Sequence, residues 1–143
     1  MKKLLSTVAA AAFVAILAPA AFAADTCLQF DGVNCDLSGD LGFFKFSAKL
    51  PEKAKKAVSL PGRACGTGVV NAAAAVGNSG TSVNIHGTFN CDGVNGNINA
   101  SLPAATANDV GTTGSGDAFY SSTDGFQNGP SCTVTVVDCD DEP

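Results

Sequence analysis

The sequence has no tryptophan, a single histidine (His86), a single tyrosine (Tyr120) and one methionine, the initiator. Each shortage removes candidate chemistry. A Ser-His or Cys-His hydrolase would have to use His86 as its base, yet neither Gly-x-Ser-x-Gly nor His-Glu-x-x-His occurs. Without Trp there is no indole to stack a sugar in a glycosidase cleft, and the thirteen acids single out no carboxylate pair. No Cys-x-x-Cys pair is present for redox work or zinc. After residue 23 the aliphatic and aromatic side chains are thin for the length, and no run there approaches the about 20 apolar residues of a membrane-spanning helix. The reading is therefore a protein that does not span the membrane, has no cofactor and is not an enzyme.

What is present begins with an export signal. Met1-Lys2-Lys3 gives a positive start, Leu4 to Leu17 is apolar and Ala-rich, and Ala21-Phe22-Ala23 fits the small-x-small pattern of signal peptidase. Cleavage after Ala23 leaves residues 24–143 as one domain, secreted to the periplasm or beyond. The mature chain loses Lys2 and Lys3, so six cations face thirteen acids and the net charge is −7. A nucleic-acid partner is excluded on that balance.

All six cysteines (Cys27, Cys35, Cys65, Cys91, Cys132 and Cys139) lie in the exported part. An even number of thiols sent to an oxidising compartment is expected to form disulfides, each contributing about 2 to 4 kcal/mol where the core is thin. Their spacing leaves the pairing open.

The clearest pattern runs from Thr81 to Leu102. Val83, Ile85, Gly87 and Phe89 alternate with polar residues, Asp92-Gly93 follows, and Val94, Gly96, Ile98, Ala100 and Leu102 alternate again. A two-residue type I′ turn at Asp92-Gly93 sets Cys91 against Val94, Phe89 against Gly96 and Val83 against Leu102. That register gathers every apolar residue on one face and leaves Asn90 with Asn95, Thr88 with Asn97 and His86 with Asn99 on the other. Asp-Gly-Val-Asn recurs at 31–34, predicting a second hairpin with Leu28 opposite Cys35. Val70 to Val76 reads as a third strand of the main meander, with Val76 opposite Thr81. Phe44 to Leu50 and Cys132 to Val137 add further strands. About seven strands with Gly-rich turns predict an all-β, disulfide-braced, small antiparallel sandwich or partly closed barrel. One short helix is expected over 51–59, where Pro51 and Glu52 suit a first turn and Leu50, Ala54, Ala57 and Val58 form a stripe. The stretch 103–130 reads as loops with a short strand at 118–120, and the acidic end, about 138–143, as a flexible tail.

The charge map is the unusual feature. Every mature cation (Lys45, Lys49, Lys53, Lys55, Lys56 and Arg63) falls within residues 45–63 beside one acid, Glu52, so this segment carries +5 while the remainder holds twelve acids and no cation. Such cations either relieve the protein's own acidic repulsion or form an interaction patch. As a patch they would take an acidic protein surface, a second copy of this chain included, or an anionic envelope polymer. The leading expectation is a non-enzymatic structural, surface-assembly or binding protein that uses this segment. A calcium-dependent binding module, with Asp109, Asp117 and Asp124 in Gly-rich loops, and a small secreted hydrolase are the alternatives.

Overall fold

The computed structural model describes residues 25–31, 37, 39–122 and 125–143, the side chains of 122–131 excepted. The segment 1–23, read above as an export signal, and Cys35 and Asp124 fall outside the described residues. Eight strands follow one another: β1 (Thr26–Asp31), β2 (Phe43–Phe46), β3 (Val58–Ala64), β4 (Gly68–Val76), β5 (Ser82–Cys91), β6 (Val94–Pro103), β7 (Thr113–Ser122) and β8 (Gly125–Val137). Each pairs antiparallel with its sequence neighbours, and β8 returns to pair with β1, closing a barrel.

The alternation read in the sequence is what fills the barrel. An eight-stranded barrel is just wide enough for its interior to be packed by side chains. Leu28, Phe30, Phe44, Phe46, Leu60, Val70, Ile85, Ile98, Leu102 and Val134 point inward and are buried. Phe44 meets Phe30 and Phe89 edge to face, with ring centroids 5.0 and 5.4 Å apart. Burial of each large apolar side chain contributes about 1.5 to 3 kcal/mol. Outward positions on β5 and β6 carry Asn84, His86, Thr88, Asn90, Asn95 and Asn97. This is the reverse of the apolar-out pattern of a barrel that spans a membrane. No described helix is long and apolar enough to cross one either.

The β5–β6 hairpin has the predicted register throughout, from Cys91 opposite Val94 to Val83 opposite Leu102. Asp92 and Gly93 have φ of 47° and 88°, the two positive angles of a type I′ turn. Strand β4 keeps its predicted face but pairs two residues further along, with Val76 opposite Val83 and Val70 opposite Phe89. The loop sets that offset: Gly77 N donates to Ser82 O and Gly80, at φ +79°, closes back on Gly77 O, so the four-residue connection is 78–81.

The all-β, disulfide-braced antiparallel fold is as expected, and of the two forms it is the barrel, closed completely because both margins of β1 are occupied: Leu28 pairs with Phe44 on one side and Val136 on the other. The second hairpin expected at 31–34, with Cys35 opposite Leu28, has its turn and return strand outside the described residues. Other expectations are corrected. No helix forms at 51–59. Val58 and Leu60 instead open β3 against Ala74 and Ala72, since a strand there buries Leu60 and completes the ring, whereas Ala54 and Ala57 are exposed and would have had no core to cover. The longest helical piece among the described residues is the 3-10 turn Gly39–Gly42. Strand β7 spans ten residues where only 118–120 was expected.

Cys65 is bonded to Cys91, tying the β3–β4 turn to the end of β5, and Cys27 to Cys139, tying β1 to the 3-10 turn Cys139–Asp141. Cys132 is disulfide-bonded as well.

Candidate functional site

The connection from β2 to β3 folds across one end of the barrel, and the reason is Leu50. This side chain is 2 % exposed and joins the core, drawing residues 47–57 over the barrel mouth. Asn108, from the connection between β6 and β7, holds it there. Its Oδ1 accepts from Leu50 N at 2.9 Å and from Thr26 Oγ1 at 2.8 Å, while its Nδ2 donates to Leu50 O at 2.9 Å. Further along, Val76 N donates to Ala54 O at 2.9 Å. With the apolar residue and the backbone committed inward, Lys49, Lys53, Lys55 and Lys56 stand exposed at this pole.

The other two cations lie on the adjoining wall. Lys45 on β2 and Arg63 on β3 are direct cross-strand partners. Like charges set opposite one another cost stability, so this pairing is not explained by packing. Asp25 offsets part of that repulsion, with its Oδ2 3.3 Å from Lys45 Nζ. Both groups are more than a third exposed, and a solvated pair of this kind contributes under about 1 kcal/mol. Asp25, Lys45, Ser47 and Arg63 border a depression of about 440 Å³, and a second, of about 500 Å³, lies over Lys49, Leu50, Glu52 and Lys53. The six predicted cations thus share the β2–β3 flank of the barrel, four at its pole and two on its wall.

Lys45–Asp25 is the one ion pair formed among the described residues. The acidic residues Asp138, Asp140, Asp141 and Glu142 emerge at the same pole beside β1 and β8, where Cys139 is anchored, and none of them pairs with the lysines. Asp140 N instead donates to Asp138 Oδ1 at 3.0 Å, a turn contact within the tail. At the opposite pole Asp31, Asp40 and Asp92 are exposed. The lysines therefore share their pole with the tail acids without forming ion pairs with them, while further acids face away at the other pole.

The remaining candidates are dispersed. Asp109 lies in the 107–112 connection, whereas Asp117 is on β7 and accepts from Asn99 Nδ2 at 2.8 Å. No three metal-ligating side chains gather among the described residues. His86 is exposed, 2.5 Å through Nδ1 from Asn99 Oδ1. Because Asn99 spends its amide N–H on Asp117, its oxygen is the acceptor and His86 the donor, giving a chain from His86 through Asn99 to Asp117.

One surface was not singled out in the sequence, although its residues were. Outward positions on β4 to β7 form cross-strand rows, among them Asn71–Thr88–Asn97–Phe119. The signal was the polar half of the hairpin alternation, legible as a face but not as a site until β4 and β7 flank it.

No protein-family model, curated protein or solved structure matches this chain.

Proposed function

We propose that this protein is an exported, non-enzymatic binding or surface-assembly barrel whose β2–β3 flank docks on an acidic partner. The observation that supports it most directly is that only Lys45 among the six cations has an intramolecular ion pair within the described residues. Had the cations served to relieve the protein's own repulsion, pairing with the nearby tail acids would be expected, since both sit at one pole.

Closure of the barrel adds to this reading. Neighbouring copies have no free β-edge to extend, so any contact must run through side chains and loops. The exposed acids elsewhere on the surface offer a complementary surface on a second copy, a head-to-tail contact of the kind that propagates. Anionic envelope polymers present the same charge chemistry.

Sedimentation of the mature protein, alone and with poly-glutamate, across a salt series tests the proposal. The expected result is a complex that weakens as the Debye length falls below about 8 Å. Charge reversal by Lys53→Glu, Lys55→Glu and Lys56→Glu together should abolish it. A monomer in both arms at low salt, or a complex indifferent to salt and to charge reversal, would overturn the reading.

A further inference from the structure

The outer face of β4 to β7 differs from the rest of this acidic surface in being almost free of charge. Across its four strands the only formally charged side chain is Asp117, at the margin, and Asp117 is already engaged by Asn99. In place of Lys and Glu the face carries amides and hydroxyls. Asn90 Nδ2 donates to Asn95 Oδ1, which fixes both amides and leaves an acceptor on one and donors on the other pointing away. Asn71, Thr88 and Asn97 are exposed and make no side-chain hydrogen bond among the described residues, so their donor and acceptor capacity faces outward.

Phe119 completes the row of Asn71, Thr88 and Asn97, its ring half-buried on the same face. Two shallow depressions, of about 400 and 610 Å³, meet along this row and share all four residues. The result is a trough following the strand direction, with an aromatic ring along its β7 side and the unspent groups of Asn97, Thr88 and Asn71 ranged across from it.

We propose that this trough binds an uncharged, hydroxyl-rich polysaccharide. A sugar hydroxyl both donates and accepts, as does a carboxamide, and the C–H face of a pyranose packs on an aromatic ring. A polyanion would find no cation here. An apolar protein partner would find only Phe119 and Val69, too little to displace water from the amides. The extended trough suits a chain better than a single sugar, because neighbouring residues can occupy both depressions. This site lies on different strands from the lysine-bearing flank and stands or falls independently of it.

Binding of the mature protein to an array of neutral glucans, xylans, mannans and N-acetylglucosamine polymers tests the inference. At least one should bind, and do so equally at about 1 M NaCl, where the Debye length is about 3 Å. Phe119→Ala should weaken that binding about tenfold, in line with loss of an aromatic contact. Asn97→Ala, at an exposed position that leaves the barrel intact, should weaken it too, while the triple lysine reversal leaves it unchanged. No binding to any member, binding abolished by salt, or binding unaltered in both Phe119→Ala and Asn97→Ala would overturn the assignment.

Discussion

Phe89 lies directly across β5 and β6 from Gly96, and a β-carbon on that glycine would stand 2.6 Å from the phenyl ring and 2.4 Å from the Phe119 carbonyl oxygen. The ring occupies the space a side chain would need, and the neighbouring backbone leaves no room to retreat. Gly96→Ala should therefore destabilise the barrel by about 1 to 3 kcal/mol, the usual cost of overpacking. Urea melts monitored by circular dichroism check this, and an unchanged midpoint would mean the ring can move aside.

Asn108 is the clasp of the basic connection, and its three hydrogen bonds are not equivalent. Asn108→Ala leaves the Leu50 N–H and C=O and the Thr26 hydroxyl without partners, a loss of about 1 to 3 kcal/mol. Asn108→Asp keeps the acceptor for Leu50 N and Thr26 Oγ1 but removes the donor to Leu50 O, and should fall between wild type and Ala. Amide hydrogen exchange is the discriminating measurement: the Leu50 amide should lose protection in the Ala variant while the Ile85 and Ile98 amides keep theirs.

The two described disulfides should contribute unequally. Cys27–Cys139 spans 112 residues and Cys65–Cys91 spans 26. On the chain-entropy account the longer loop restrains the unfolded chain more, by about 1 kcal/mol. Paired Cys→Ser replacement of Cys27 and Cys139 should lower the urea midpoint further than replacement of Cys65 and Cys91. An equal or reversed order would point to native-state strain or residual structure as the larger effect.

Asp25→Asn removes the carboxylate beside Lys45 while keeping its shape. Because both groups are well exposed, stability should change by less than about 1 kcal/mol. The same change frees Lys45, so any salt-sensitive complex formed through the β2–β3 flank should tighten. A titration at low and high salt would read both effects, and weaker binding at low salt would argue that Asp25 belongs to the contact.

Much of the barrel was legible because strand alternation is a local signal. Val83 to Leu102 carried its own turn, register and inward face, and a slip by one residue would have exposed every apolar side chain, so only one arrangement was admissible. Strand β4 shows where that logic stops. A slip of two keeps the face, and only the hydrogen bonds of Gly77 and Gly80 select the observed partner. The segment 51–59 shows the opposite failure: Ala and Lys favour helix locally, but closing the ring required Val58 to Ala64 as a strand, and tertiary pairing prevailed. β7 was hidden because Gly114 and Gly116 stand where larger inward residues would have signalled a strand; the barrel wall leaves no room for side chains there, with Ser101 O and Asn99 O within 2.5 Å of the would-be β-carbons. For the candidate site, the clustering of cations was visible in the chain, while Asn108, 58 residues beyond Leu50, was not.

Adjacency of β1 and β8, with Cys27 bonded to Cys139, brings the start of the first strand and the end of the last together at the lysine-bearing pole. Topologically the domain is a loop with an arbitrary opening, so joining residue 25 to the chain beyond Cys139 and cutting at 78–80 should give a circular permutant that still folds. It also means that a reporter or anchoring sequence joined just before β1 or after Cys139 would leave from one side of the barrel, with the Asp92–Gly93 rim at the far side unobstructed.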